Sequence, residues 1–178
     1  MKYNTIKLND IANSENGINI SIFTQGCPHY CKGCFNKETW DFDKGIEYTE
    51  ETFKYICENI NNYGVERNLS ILGGEPLCPQ NVDGIIELCK SFKQKYPNKK
   101  IYLWTGYTYE QFTDKQKEVL QYLDILVDGR FIEKLKNISL KLRGSSNQRV
   151  ILVQESLKQN KIIIKNNRHI IQIKIQYS

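Results

Sequence analysis

Four short apolar segments of the chain run into glycine. They are Ile18–Thr24 ahead of Gly26, Asn68–Leu72 into Gly73-Gly74, Ile101–Thr105 into Gly106, and Asp124–Val127 into Asp128-Gly129. Between them lie stretches with apolar residues at helical spacing. Phe53, Ile56, Cys57 and Ile60 mark a helix within Thr49–Asn62, with Thr49 and Glu51-Thr52 as start signals. Ile85, Ile86, Cys89 and Phe92 mark another over Val82–Tyr96, stopped by Pro97. The pattern predicts a third helix over Thr113–Leu123 and a further strand over Arg149–Val153. Strand, loop, helix, strand at this pitch spells repeated βαβ units around a parallel sheet. Parallel α/β folds bind ligands beyond the carboxyl ends of their strands, so the four glycine loops are expected to share one edge of the sheet. With 178 residues against the ~250 of a complete eight-unit barrel, the expected fold is α/β, an incomplete parallel (β/α) barrel or open curved sheet.

The tail differs. Lys161–Lys165 and His169–Ile175 flank Asn166-Asn167, which reads as a C-terminal hairpin. No repeat, low-complexity tract or Pro/Gly/Ser linker interrupts the chain, so residues 1–178 are read as a single domain with a core of about 17–153 and an extension of about 154–178.

Charged residues at 25% and hydrophobic residues at 40% match an ordinary soluble globule. No apolar run approaches the ~20 residues of a membrane helix. The start, MKYNTIKLND, lacks the apolar stretch of a secretory signal. Six cysteines in such a chain point to the cytoplasm, where thiols stay reduced and clustered cysteines bind metal or react. Charge is unevenly spread: residues 134–178 hold ten Lys and Arg against the single acid Glu155. That segment reads first as a solvated basic face and second as a docking surface for a protein partner. Nucleic acid is not expected, because after Phe131 Tyr177 is the only aromatic available for base stacking.

The chemistry concentrates in Cys27-Pro-His-Tyr-Cys31-Lys-Gly-Cys34, in the loop after Ile18–Thr24. Three thiolates this close in sequence can reach one metal centre. A cubane iron–sulfur cluster held by three thiolates leaves one iron open for a second ligand, and Lys32 and Lys37 could offset its charge. Two alternatives stand beside it: a zinc ion held by the three cysteines with His29 as a cramped fourth ligand, and a structural cysteine cluster. Cys57, Cys78 and Cys89 have no such spacing and read as small buried hydrophobes.

Cys27-x₃-Cys31-x₂-Cys34 after one strand and Gly73-Gly74-Glu75-Pro76 after the next resemble the radical S-adenosylmethionine enzymes. Further blocks narrow the resemblance to the activating proteins of anaerobic ribonucleoside-triphosphate reductase. They are Phe35–Phe42, Leu103–Thr108, Asp124–Phe131 and Arg143–Arg149 (RGSSNQR). The resemblance implies an incomplete barrel of the radical S-adenosylmethionine type and a [4Fe–4S] cluster on Cys27, Cys31 and Cys34. It also implies S-adenosylmethionine bound by Gly73, Gly74, Glu75 and Pro76, with Thr105, Asp128, Ser145 and Asn147 near the cofactor. The implied activity is an oxidoreductase that cleaves the cofactor reductively and places a glycyl radical on the reductase's large subunit. Electrons would come from a reductant protein such as flavodoxin or ferredoxin. Trp104 stands where some relatives carry an acid, and Gly33 where the wider superfamily often has an aromatic residue. Two alternatives carry other partners or none: activation of another glycyl-radical enzyme such as a formate lyase, and a non-catalytic iron–sulfur or zinc module.

Overall fold

The computed structural model describes residues 1–165 and the backbone of residues 170–174. Among the described residues, nine strands form one open mixed sheet in the order β3-β1-β2-β4-β5-β6-β7-β8-β9. The strands are β1 Lys2–Asp10, β2 Ile18–Thr24, β3 Ile46–Glu47, β4 Arg67–Gly73, β5 Ile101–Trp104, β6 Ile125–Asp128, β7 Arg149–Leu152, β8 Lys161–Lys165 and β9 Ile170–Lys174. Only the central four, β2, β4, β5 and β6, are parallel to their neighbours in that group. β1, β3 and β7–β9 pair antiparallel on either side.

Alternation along the central strands sends two residue sets to opposite faces. Ile20, Ile22, Leu69, Ile71, Leu103 and Leu126 pack beneath α1 (Glu50–Asn59) and α2 (Val82–Lys95), which contribute Ile56, Ile85, Leu88, Cys89 and Phe92. Fully burying side chains of this size contributes about 1.5–3 kcal/mol each before chain entropy is charged against it. α1 starts where its signal stands, with the Thr49 N–H donating to Thr52 Oγ1 at 3.3 Å. The other face is apolar across Tyr102, Ile125, Val127 and Val150. It turns polar at Asn19, Ser21 and Ser70, all buried. There the β1–β2 loop lies over the strands, with the Asn13 carbonyl accepting from Asn19 Nδ2 (2.8 Å) and Ser70 Oγ (2.7 Å).

The all-parallel expectation fails at the last core strand. β7 runs antiparallel to β6, Asp128 opposite Arg149, because the connection between them carries no crossover helix. β1 escapes the alternation pattern because an irregularity between Tyr3 and Thr5 breaks its period of two. The third helix shrinks to α3 (Asp114–Lys117) followed by a 3₁₀ segment over Glu118–Tyr122. A short α4, Val153–Gln159, occupies the start of the expected extension. The hairpin strands pair from Lys161–Lys174 to Lys165–Ile170. Its turn residues Asn166-Asn167, with His169 and Ile175, lie outside the described residues.

Candidate functional site

Because β2, β4, β5 and β6 are parallel, their carboxyl ends lie on one edge, and the glycine loops meet there as expected. A cavity of about 500 Å³ opens at that edge. Cys27, Cys31 and Cys34 line it together with Gly73, Gly74, Glu75, Thr105, Gly106 and Gly129. All three cysteines are free thiols. Burial pushes the Cys27 thiol up to about 11. The loop bends through left-handed residues at Tyr30 (φ 49°) and Gly33 (φ 73°). At Gly33 the positive φ is what favours glycine, since side chains rarely adopt that conformation.

Glu75 joins the loops. Its carboxylate is buried and accepts from Thr105 Oγ1 (2.7 Å) and Leu77 N–H (2.9 Å) at Oε1. At Oε2 it accepts from Gly106 N–H (2.7 Å) and His29 Nε2–H (2.9 Å). Asn81, also buried, donates to the carbonyls of Gln25 (2.9 Å) and Glu75 (3.1 Å). Gly74 packs so tightly that a Cβ would lie 2.4 Å from the Gly26 carbonyl oxygen.

Four expected cofactor residues do not line the cavity: Pro76, Asp128, Ser145 and Asn147. Pro76 is buried. Asp128 is fully buried and holds the β5 and β7 ends together, accepting from Tyr109 N–H at 2.8 Å and from Arg149 Nε at 2.9 Å. The Ser145 hydroxyl accepts from Ile132 N–H at 3.2 Å, and Asn147 Nδ2 donates to the Arg130 carbonyl at 2.8 Å. From the RGSSNQR block, Arg143, Gly144 and Gln148 reach the cavity instead. Lys32 turns away to Glu133, 3.3 Å distant, and Lys37 does not line the cavity. The basic residues on its wall are Lys7 and Arg143. Lys7 stands on β1, the strand whose alternation is broken, so no sequence signal marked it. His29 was in plain view between two cysteines, but its partner Glu75 is 46 residues away.

The residues fit a cluster held by three thiolates. His29 donates from Nε2 to the Glu75 carboxylate. Among the described residues, no three His, Cys, Asp or Glu side chains are drawn together as around a single ion. A cubane places its thiolates on separate irons and needs no such convergence. Trp40 also lines the cavity, and its Nε1–H is shielded from solvent with no protein partner, a donor suited to a sulfur acceptor beside Cys27.

Comparison with known proteins agrees. Residues 14–151 match the family model described as a 4Fe-4S single cluster domain. The anaerobic ribonucleoside-triphosphate reductase-activating protein of Vibrio cholerae is 38% identical over 149 residues, covering 83% of this chain and 96% of the relative. The Escherichia coli protein of the same name shows the same identity and coverage. That of Enterobacteria phage T4 is 37% identical over 150 residues, covering 84% and 93%. Cysteine loop, glycine-loop edge and matched span all coincide, and the chain belongs to the family of anaerobic ribonucleoside-triphosphate reductase-activating proteins, which carry a 4Fe-4S single cluster domain.

Proposed function

We propose that this chain is the activating enzyme of an anaerobic ribonucleoside-triphosphate reductase and works by radical S-adenosylmethionine chemistry. The observation that carries the reading is the single cavity shared by Cys27, Cys31, Cys34 and the Gly73-Gly74-Glu75 loop. Residues 1–178 act as one domain, and the open sheet serves as an incomplete barrel whose free edge admits a protein substrate. Cys27, Cys31 and Cys34 hold a [4Fe–4S] cluster. When bound and reduced, that cluster would supply the electron for reductive cleavage of S-adenosylmethionine, the chemistry by which a hydrogen atom would be taken from a glycine of the reductase's large subunit.

The chain's own residues bind, orient and exclude water. The Gly73-Gly74 backbone receives the methionine end of the cofactor. The Glu75 carboxylate, its oxygens already accepting four hydrogen bonds, braces that loop instead of binding the ammonium directly. Thr105 orients Glu75, and Asp128, Ser145 and Asn147 support the cavity wall from outside it. Phe23, Leu72 and Trp104 give the cavity an apolar wall that keeps water from a reactive radical. The electron donor is a reductant protein such as flavodoxin or ferredoxin. The work takes place in the cytoplasm, the compartment in which clustered thiols stay reduced.

The test is anaerobic reconstitution with iron and sulfide, then EPR of the reduced protein with and without S-adenosylmethionine. A [4Fe–4S] signal that changes on adding the cofactor, followed by a glycyl-radical signal on added reductase, is expected. No cubane signal, or one indifferent to the cofactor, overturns the reading.

A further inference from the structure

Three of the glycine loops meet on one side chain, and it is not a cysteine. His29 sits between Cys27 and Cys31 with its side chain only 11% exposed. Its Nε2–H reaches Oε2 of Glu75, on the loop after β4, at 2.9 Å. Its ring meets Tyr107, on the loop after β5, edge-on at 4.7 Å between centroids. A Cβ on Gly106 would stand 2.3 Å from His29 Cδ2, so that loop approaches the ring as closely as glycine permits. The backbone carbonyl of His29 accepts from Arg130 Nη2, on the connection after β6, at 2.6 Å.

Loops on separate strand ends keep a fixed geometry only where something bonds them. Here the cysteine loop and the Gly73-Gly74-Glu75 loop carry the two halves of one reaction centre, and an ångström of misplacement can cost about a hundredfold in rate. We infer that His29 is a positioning residue: through Glu75 it holds the cysteine loop in register with the loop that receives S-adenosylmethionine, without itself binding metal. The inference rests on the function proposed above. It also gives Glu75 a definite task. With His29 removed, Glu75 keeps an acceptor site facing a gap, and the β4 and β5 loops lose their side-chain tie to the segment between Cys27 and Cys31, while the backbone bonds from Gly74 and Glu75 to Thr24 and Gly26 remain.

The experiment uses the full chain, reconstituted anaerobically, as wild type, His29→Ala, His29→Gln and Gly106→Ala. Iron and sulfide per chain, the dissociation constant for S-adenosylmethionine and the cofactor-induced EPR change are measured. Amide hydrogen exchange at Gly106 and Leu77 is followed in the cluster-free chain. In His29→Ala the iron content is expected to match wild type, while cofactor affinity falls roughly tenfold, the EPR change shrinks and Gly106 exchanges roughly tenfold faster, the scale of one lost charge-assisted hydrogen bond. His29→Gln, which keeps an N–H donor, recovers part of each loss. Gly106→Ala, which pushes the ring aside, reproduces them. Unchanged affinity and exchange in His29→Ala overturns the inference. So does loss of iron from both His29 variants, which would make His29 part of the metal site. If wild type itself shows no response to S-adenosylmethionine, the functional reading fails, and the exchange data still decide whether His29 ties the loops.

Discussion

The Arg149 guanidinium closes on the fully buried Asp128 carboxylate, donating from Nε at 2.9 Å and again from Nη2, while Nη1 and Nη2 grip Glu110 at 2.8 and 2.7 Å. One cation thus joins the end of β6, the start of β7 and the turn after β5, where the chain departs from the parallel pattern. Arg149→Ala leaves Asp128 buried without its counter-charge. The expected cost is about 3 kcal/mol in denaturant unfolding, the low end for a broken buried pair because the Arg149 side chain keeps 21% exposure. A loss below about 1 kcal/mol would show that the bridge contributes little.

The same bridge sets a pH dependence. The hydrogen bond from Arg149 holds the Glu110 carboxyl below its ordinary value near 4.5. A depressed folded-state pKa means the stabilisation is complete above that ordinary value and fades as pH falls below it. The acid limb of a thermal-stability profile should therefore be steeper in wild type than in Glu110→Gln, with the two curves parallel near pH 7. Parallel curves down to pH 3 would refute this.

Iron content after reconstitution should separate the six cysteines into two groups. Cys27→Ala, Cys31→Ala and Cys34→Ala are each expected to lose most of the bound iron. Cys57→Ala, Cys78→Ala and Cys89→Ala should retain it, since all three are buried and none lines the cavity. Full iron in any variant of the first group would remove that residue from the ligand set.

In the cluster-free protein the thiols should differ in reactivity. Cys31 and Cys34 are partly exposed, whereas Cys27 and Cys78 are buried and pushed up to about 11. Thiolate is the reactive form, so iodoacetamide at pH 8 should label Cys31 and Cys34 first, with Cys27 accelerating only as pH climbs towards 11. Peptide mapping by mass spectrometry reads the order. Equal rates at Cys27 and Cys34 would contradict the burial.

Gly74→Ala tests the seam between the β2 and β4 loops. The added Cβ would lie 2.4 Å from the Gly26 carbonyl oxygen, which is backbone and cannot swing aside. The expectation is a loss of S-adenosylmethionine binding of at least about tenfold, with the cysteine loop still able to take up iron, measured by ligand titration alongside iron analysis. Wild-type affinity would mean the seam is loose.

What the residues alone determined was local. The apolar segments ending in glycine placed β2, β4, β5 and β6 within a residue or two, because burial on both faces imprints short apolar runs directly on the chain. The three cysteines stood out by spacing, since residues within eight positions need no folding to be neighbours. Everything carried across the sheet had to wait for the tertiary structure. The antiparallel turn of β7, the capture of Asp128 by Arg149 away from the cavity, and the arrival of Lys7 on its wall all depend on pairings between distant segments. His29 shows the division most clearly: its position between two cysteines was visible, but its bond lies with Glu75, 46 residues along the chain. A side chain's partner is chosen by where the backbone brings it, and hydrogen-bond donors and acceptors leave no periodic mark in a sequence from which that meeting could be read.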